Sequence, residues 1–321
     1  MSARIGIDLG GTKIEGVLLA ADGELGERVR VDTPHGDYAA TVRAIADLVR
    51  ALDPTGSARV GVGTPGSWVA ATGLMQNCNS TWLNGRPLLE DLNDALGGRV
   101  RIANDADCFA LSEAHGGSAA GRGVVFGVIL GTGVGGGLVV NGQLLQGPNG
   151  LAGEWGHTPL ALPPTGLPPR TCYCGRQNCV ETFLSGPGLL ATHRVLWENG
   201  ANPPETARDV YRQARLDEAP AGWWQSGIAK AADEIQEARA SLSLWCEMLA
   251  ANLGRVVNTL DPHAIVLGGG LSDMREVYPV VRTLMAGHVF GEVFETELLG
   301  PTFGASSGVR GAAWLWDEAG R

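Results

Sequence analysis

The feature that most constrains this chain is a glycine-rich pattern that occurs twice. Residues 6–19 read GIDLGGTKIEGVLL and residues 127–140 read GVILGTGVGGGLVV. Each is an apolar run, a glycine-dense bend and a second apolar run. The first copy is followed by Asp22-Gly23 and the second by Asn141-Gly142, dipeptides that favour the positive φ angles of a tight hairpin. The repetition predicts a duplicated β-rich core. A length of 321 residues exceeds what one hydrophobic core usually serves, so two compact lobes are expected. Glycine supplies 48 residues, about 15% against a usual share of about 7%. Glycine clustered in this way brings backbone close to a ligand.

Composition narrows the class. With 24 basic and 34 acidic residues the net charge is -10, which disfavours a nucleic-acid partner, because binding one depends on clustered cations. Hydrophobic residues make up 44% and charged residues 18%, as in a globular protein. The N-terminus runs from Met1-Ser2-Ala3-Arg4 directly into an apolar strand pattern without the features of an export signal. The uncharged stretch 123–140 is long enough to cross a membrane, but its glycines read as a hairpin. Of the six cysteines, at 78, 108, 172, 174, 179 and 246, three fall within eight residues. That spacing favours a metal in a reducing compartment over disulfides. A cytoplasmic protein without a membrane partner is expected.

Between the two glycine patterns, residues 38–52 carry Val42, Ile45, Leu48, Val49 and Leu52 on one helical face, and residues 87–96 read as a helix with Pro87 at its start and Gly97 as its stop. Residues 99–103 read as a strand and 106–113 as a helix. The polar stretch 199–225 reads as an insertion, its Trp223-Trp224 pair serving either an interface or local packing. Residues 228–260 form one long or two short helices, and 264–270 form a buried strand ending in glycines.

The first bend offers Asp8 at a strand end, the bare amides of Gly10 and Gly11, the Thr12 hydroxyl and the Lys13 cation, the parts that hold Mg²⁺ and nucleotide phosphates. An ordinary hairpin is the alternative. The second bend, with Gly131, Thr132 and Gly133, and a third at Gly268, Gly269 and Gly270 favour a nucleotide held between two facing hairpins. Positions 131, 133 and 136 match GxGxxG, but the following β-branched run does not open the helix that a dinucleotide fold needs, and no GxxxxGK[ST] is present. Asn104-Asp105 sits at a strand-to-helix junction. Asp105 either caps the helix or accepts the proton of a substrate hydroxyl during phosphoryl transfer, with Asn104 orienting that substrate, and the two roles are compatible. His157, Cys172, Cys174 and Cys179 form a Cys₃His set suited to structural zinc, with Gly175 letting the chain curl around the ion. The flanking Glu154 and Glu181 would be pinned by that metal as acceptors for substrate hydroxyls. Asn79 and Trp82 are candidates to line a substrate pocket, and Trp82 is equally explained as core.

Taken together, DLGGTK at 8–13, NDA at 104–106, GTGVGGG at 131–137, GEWGH at 153–157 and CYCGRQNCVE at 172–181 resemble the ROK family of bacterial sugar kinases and repressors, over essentially the whole chain. NSTWLNGRPL at 79–88, AGEWGHTPL at 152–160 and SSGVRGAAWLW at 306–316 resemble its fructokinase branch most. The resemblance implies an actin-like, ribonuclease H-like, two-lobed α/β ATPase fold with its active site in the cleft. The first lobe would span 1–118 and be completed by a C-terminal helix at 305–321, with the second lobe at 119–304. It implies 6-phosphorylation of a hexose with Mg·ATP, fructose first and mannose second, with glucose and N-acetylglucosamine as alternatives. Asp105 would be the catalytic base, and Asn79, Asn104, Glu154, His157 and Glu181 would contact the sugar, His157 also binding zinc. Gly10, Gly11, Thr12, Lys13, Gly131, Thr132 and Gly133 would hold phosphates, Asp8 would support Mg²⁺ through water, and Gly269 and Gly270 would lie beneath the adenosine. Members are commonly homodimers. The family's knuckle usually has glycine before its last cysteine, where this chain has Asn178, a residue that tolerates left-handed backbone. A sugar-responsive repressor is disfavoured, since only seven residues precede Asp8, too few for a helix-turn-helix domain, and the charge is wrong for DNA.

Overall fold

The structure, a computed structural model, describes residues 2–20, 24–197, 203–225 and 233–316. The first sheet orders its strands β3-β2-β1-β4-β7, with β1 at Arg4–Leu9, β2 at Lys13–Leu19, β3 at Val29–Asp32, β4 at Arg59–Thr64 and β7 at Val100–Asn104. A small hairpin pairs β5, Ser67–Val69, with β6, Leu74–Gln76. The second sheet orders β10-β9-β8-β11-β12, with β8 at Val124–Leu130, β9 at Val134–Val140, β10 at Gln143–Leu144, β11 at Ala264–Gly268 and β12 at Glu297–Leu299. Both glycine patterns are therefore strand, bend, strand. The stretch 123–140 is a hairpin as read, and among the described residues no helix is long and apolar enough to cross a membrane. Asn141 and Gly142 take φ angles of 49° and 76° and close the turn into β10, which pairs antiparallel with β9. The corresponding Asp22-Gly23 lies outside the described residues.

Nine helices are seen among the described residues: α1, Tyr38–Leu52; α2, Leu88–Leu96; α3, Asp105–His115; α4, Glu181–Leu184; α5, Gly186–Leu196; α6, Ala207–Ala214; α7, Glu234–Leu260; α8, Val277–Met285; and α9, Ser307–Trp314. Asp37 caps α1 by accepting from the Ala40 amide at 2.9 Å, and Gly97 ends α2 in the left-handed region at φ 74°. The chain divides into two compact units, one of Met1–Gly127, Gly136–Gly153 and Pro301–Arg321, the other of Val128–Gly135 and Glu154–Gly300. The sequence reading drew the boundary at residue 118. The first unit reaches further because β8 and β9 lie directly on α3: a Cβ on Gly127 would stand 2.7 Å from Ala110 Cβ, and one on Gly137 2.7 Å from the Ala106 carbonyl.

Strand alternation explains how the first unit packs. Ile5, Ile7 and Leu9 of β1 and Val60 and Val62 of β4 join Ile45, Leu48 and Val49 of α1 in one buried core. Two of the intervening positions, Gly6 and Gly61, receive α9. An added Cβ would stand 1.9 Å from the Val309 carbonyl oxygen at Gly6, 1.7 Å from that of Ala312 at Gly61, and 1.6 Å from that of Cys108 of α3 at Gly311. Helix and sheet thus meet backbone to backbone, a separation that no larger residue permits. Buried Glu113 fastens the far end of α3 to the approach to α9, accepting from the Thr302 amide at 3.0 Å and the Ser307 hydroxyl at 3.1 Å.

The stretch read as an insertion is part of the second unit's core over its described residues, 203–225. Helix α6 buries Ala207, Val210 and Ala214 on one face and packs on α7. The segment looks polar because its buried residues are few and spaced along a short helix. Trp223 is buried, with its ring edge-on to Trp224 at 6.1 Å, so the pair packs locally. The described part of 228–260 is a single helix. Trp82 likewise belongs with the core: its Nε1 donates to Thr41 Oγ1 at 3.3 Å and its ring packs on His35 at 4.6 Å.

Gly61→Ala and Gly311→Ala are each expected to cost about 3 kcal/mol or more, the range of severe overpacking. Gly287→Ala, whose Cβ would meet nothing nearer than 3.5 Å, is expected to stay within about 1 kcal/mol of the parent. Thermal melts of the three variants check this, and equal melting temperatures would contradict the tight approach.

Candidate functional site

In the first unit the parallel strands end together. β1 runs parallel to β4, with Asp8 beside Gly63, and β4 parallel to β7, with Thr64 beside Asn104. Ligands gather at the carboxyl ends of such strands, and Asp8, Asn104 and Asp105 all stand there. The bend after β1 closes with the Gly10 amide donating to the Lys13 carbonyl at 3.0 Å. Gly11 faces the loop carrying Asn79, since its Cβ would lie 3.6 Å from Ser80 Oγ. Asn79, Gly11, Thr12 and Lys13 are exposed.

The capping question at α3 has a definite answer. Asn104 is the cap: its Oδ1 accepts from the Asp107 amide at 2.6 Å, which occupies one of the two groups it would offer a substrate. Asp105 instead begins the helix and accepts from the Ala106 amide at 2.8 Å. It is solvent-accessible, yet desolvation by the surrounding protein raises its carboxyl above the usual carboxylate range. Asp8 is pushed up to about 6, first by burial, then by the charges of Asp105 and Glu15. The start of α9 crowds it too, because a Cβ on Gly308 would stand 2.9 Å from Asp8 Oδ2.

The second unit holds the other two bends. The Gly131 amide donates to the Gly133 carbonyl at 3.0 Å. Gly269 has φ 80°, and its Cβ would stand 2.4 Å from the Leu130 carbonyl, whereas the space over Gly270 is open. The two bends adjoin, a Cβ on Gly131 lying 4.0 Å from the Gly270 nitrogen. Glu181 buttresses the first of them, accepting from the Val134 amide at 3.0 Å. Gly133 must be glycine for that contact, since its Cβ would stand 2.6 Å from Glu181 Oε2. Residues 154–157 lie against β9, with Trp155 Nε1 donating to the Gly135 carbonyl at 2.9 Å and a Cβ on Gly156 falling 2.1 Å from the Val134 carbonyl.

His157, Cys172, Cys174 and Cys179 converge, their donor atoms all within 4.8 Å of one another. His157 Nδ1 stands 3.5 Å from Cys172 Sγ, and the sulfurs of Cys174 and Cys179 are 3.6 Å apart. Thiolates about 2.3 Å from a zinc ion stand about 3.8 Å apart on a tetrahedron, so the set fits zinc. Burial pushes the Cys172 and Cys179 thiols up, the latter to about 12, and a bound cation would supply the charge that releases their protons. Asn178 takes the left-handed conformation at φ 55° that its place in the knuckle demands, and its Oδ1 accepts from the Arg170 amide at 2.8 Å. Tyr173 is an addition to the sequence reading. Its hydroxyl lies 2.9 Å from His157 Nε2, the ring nitrogen other than the one beside Cys172 Sγ. Burial, then the carboxylates of Glu181 and Glu154, push its phenol up to about 12, so these groups share one neighbourhood. Its position inside the Cys-Tyr-Cys run was the available signal.

Purified protein is expected to carry about one zinc ion per chain, and Cys174→Ser to lose the ion and melt at lower temperature; a metal-free, equally stable protein would contradict the fit. A second expectation follows from the carboxyl of Asp8, raised from 3.8 to about 6. The folded state holds this proton more tightly than the unfolded chain. Its stabilisation is therefore complete below about pH 4 and lost as pH rises through 6. Asp8→Asn should then gain about 1–3 kcal/mol over the parent at pH 8 and nothing near pH 4. Denaturant unfolding at both pH values measures the difference, and an equal effect at the two would contradict it.

The chain matches the ROK family over residues 4–319. It is 36% identical over 319 residues to the N-acetyl-D-glucosamine kinase of Histophilus somni strain 129Pt, covering 97% of this chain and 98% of that protein. It is also 36% identical over 321 residues to the enzyme of the same name from Pectobacterium atrosepticum, covering 97% of each. Among solved structures it resembles the ROK hexokinase of Thermus thermophilus, with TM-score 0.77, 26% identity and coverage of 98% and 97%. It also resembles a ROK family glucokinase from Streptomyces griseus, solved with glucose and AMPPNP, with TM-score 0.69, 27% identity and coverage of 97% and 98%. The two curated relatives are named N-acetylglucosamine kinases, not the fructokinases that the motifs at 79–88 and 306–316 brought to mind. The chain, a sugar kinase with the actin-like fold, belongs to the ROK family.

Proposed function

We propose that this protein transfers the γ-phosphoryl group of Mg·ATP to the 6-hydroxyl of a hexose, with N-acetylglucosamine as its best substrate. The observation that carries the reading is Asp105. It is an accessible carboxylate at the carboxyl end of a parallel strand, relieved of capping by Asn104 and raised in basicity by its surroundings. Its oxygen accepts the proton of the 6-hydroxyl as that oxygen bonds to the γ-phosphorus and ADP leaves. A carboxylate whose pKa is raised toward the working pH is the better base. Asn79 and Asn104 are assigned to sugar hydroxyls from the first unit, and Glu154, His157 and Glu181 from the second. Gly10, Gly11, Thr12, Lys13, Gly131, Thr132 and Gly133 are assigned to phosphates, Asp8 to a water on Mg²⁺, and Gly269 and Gly270 to the adenosine. Zinc on the knuckle plays a structural part, holding the helical turn that ends at His157 and the start of α4 at Glu181. The chain works in the cytoplasm as a homodimer.

N-acetylglucosamine is supported by the names of relatives matching nearly the whole chain. Fructose, with mannose second, is the reading that the motifs at 79–88, 152–160 and 306–316 favour, and glucose is the bound sugar of a similar kinase structure. Turnover of N-acetylglucosamine, glucose, mannose and fructose with ATP and Mg²⁺ decides among them. The expected result is the highest kcat/KM for N-acetylglucosamine, and a higher value for fructose would return the assignment to the motif reading.

Asp105→Asn is expected to lower kcat by about 10²- to 10⁴-fold with an unchanged melting temperature. In the parent, kcat/KM should fall as pH drops through the raised Asp105 pKa, because the protonated form cannot accept a proton. Near-normal turnover by the variant would leave Asp105 without a chemical role.

A further inference from the structure

A cavity beside Asn104 has a lining that the residues assigned above do not explain. It holds about 310 Å³ within the first unit, at the lower end of the roughly 300–1,000 Å³ of small-ligand sites, and so has room for a substituent of a sugar. Its walls come from β5, the end of β7, the first turn of α3 and the loop that leads to Glu154, and they are of two kinds. Trp68, Ile102, Leu145 and Pro148 contribute apolar side chains, and Ser67, Asn104, Asp107 and Gln146 polar ones. Leu145 is 47% exposed, an apolar side chain left in water at the edge of the space. Asn104 and Asp107 lie one helical turn apart, and because Asn104 Oδ1 takes the Asp107 amide, its Nδ2 is the donor that Asn104 has for a ligand.

Glucose carries a hydroxyl at C2 and offers no apolar group at that position. A 2-acetamido sugar differs from glucose by a methyl group, a carbonyl acceptor and an amide N–H. We propose that this cavity is the subsite for that acetamido group. The methyl packs on Trp68 and Leu145, the carbonyl oxygen accepts from Asn104 Nδ2, and the N–H donates to the Asp107 carboxylate. This inference rests on the reading of the chain as an N-acetylglucosamine kinase, and adds to it the residues that select the sugar. The cavity adjoins the proposed base through the sequence itself, Asn104 preceding Asp105.

The test is the ratio of kcat/KM for N-acetylglucosamine to that for glucose, measured in the parent, Leu145→Ala and Leu145→Glu, together with the dissociation constants of both sugars without nucleotide. Leu145 is exposed enough for both variants to fold. One methyl or methylene group in an apolar pocket is worth roughly 10- to 200-fold in discrimination. Leu145→Glu, which places a charge against that methyl, should lower the ratio about tenfold or more, and Leu145→Ala should lower it less. The ratio of dissociation constants should shift in the same sense. Ratios unchanged in both variants, or equal losses for the two sugars, would overturn the subsite while leaving the kinase assignment intact. A parent enzyme that phosphorylates glucose but not N-acetylglucosamine would overturn the sugar assignment itself, and the subsite with it.

Discussion

The contact on which the first unit depends is the bare-backbone seat of α9 on β1 and β4. Gly6 and Gly61 remove the side chains on one face of the sheet, and Gly311 removes the one between α9 and α3. The dispersion energy of each such contact is small, but many close contacts accumulate along a helix that lies flush. The functional geometry follows from the same approach. Asp8 projects from the glycine face of β1 and meets the start of α9, while α3, whose first residue is Asp105, is held against α9 at Gly311. Buried Glu113 ties the opposite end of α3 to residues 302–307. The two carboxylates of the first unit are thus placed by packing on backbone rather than by flexible side-chain contacts.

That placement has an electrostatic cost, and the cost is located where the chemistry is proposed. Desolvation raises both Asp8 and Asp105, and the charge of Asp105 raises Asp8 further. The knuckle has a related character with sulfur: burial makes the Cys172 and Cys179 thiols resist ionisation. Each cluster would gain from a positive charge that the polypeptide does not supply, Mg²⁺ in the proposed reaction and a metal ion at the knuckle. Inside the second unit, Glu181 connects the knuckle with the glycine bend at 131–133. It follows Cys179 by two residues and holds the Val134 amide beside the glycine bend, so ordering the metal loop also orders that bend.

How much of this is visible in the sequence depends on the range of the constraint. The bends at 8–13 and 131–133, the Asn141-Gly142 turn and the left-handed Asn178 were legible because each is a local demand on backbone conformation. The knuckle was legible because its three sulfurs are close in sequence and the chemistry of thiols is narrow. Gly6, Gly61 and Gly311 carry no such local sign; their partners lie far along the chain, and a glycine in a strand reads first as a weakness. The role of Asn104 as cap was missed because Asn and Asp are both good caps and only the register of the helix start separates them. Segment 203–225 was misread because α6 hides its few buried residues among charges. The sugar was the least legible feature: phosphate bends and the base are common to hexose kinases, whereas discrimination falls to scattered residues such as Trp68 and Leu145, outside every motif.

The central claim is that one carboxylate, seated by glycine packing at the end of β7, receives the proton of a sugar hydroxyl. A crystal structure with N-acetylglucosamine and a non-hydrolysable ATP analogue tests it most directly. The account predicts the sugar O6 at about 2.6–3.2 Å from an Asp105 carboxylate oxygen, with the γ-phosphate on the far side of O6 in line for attack. A sugar bound with O6 turned away from Asp105, or a triphosphate remote from the glycine bends, would contradict it.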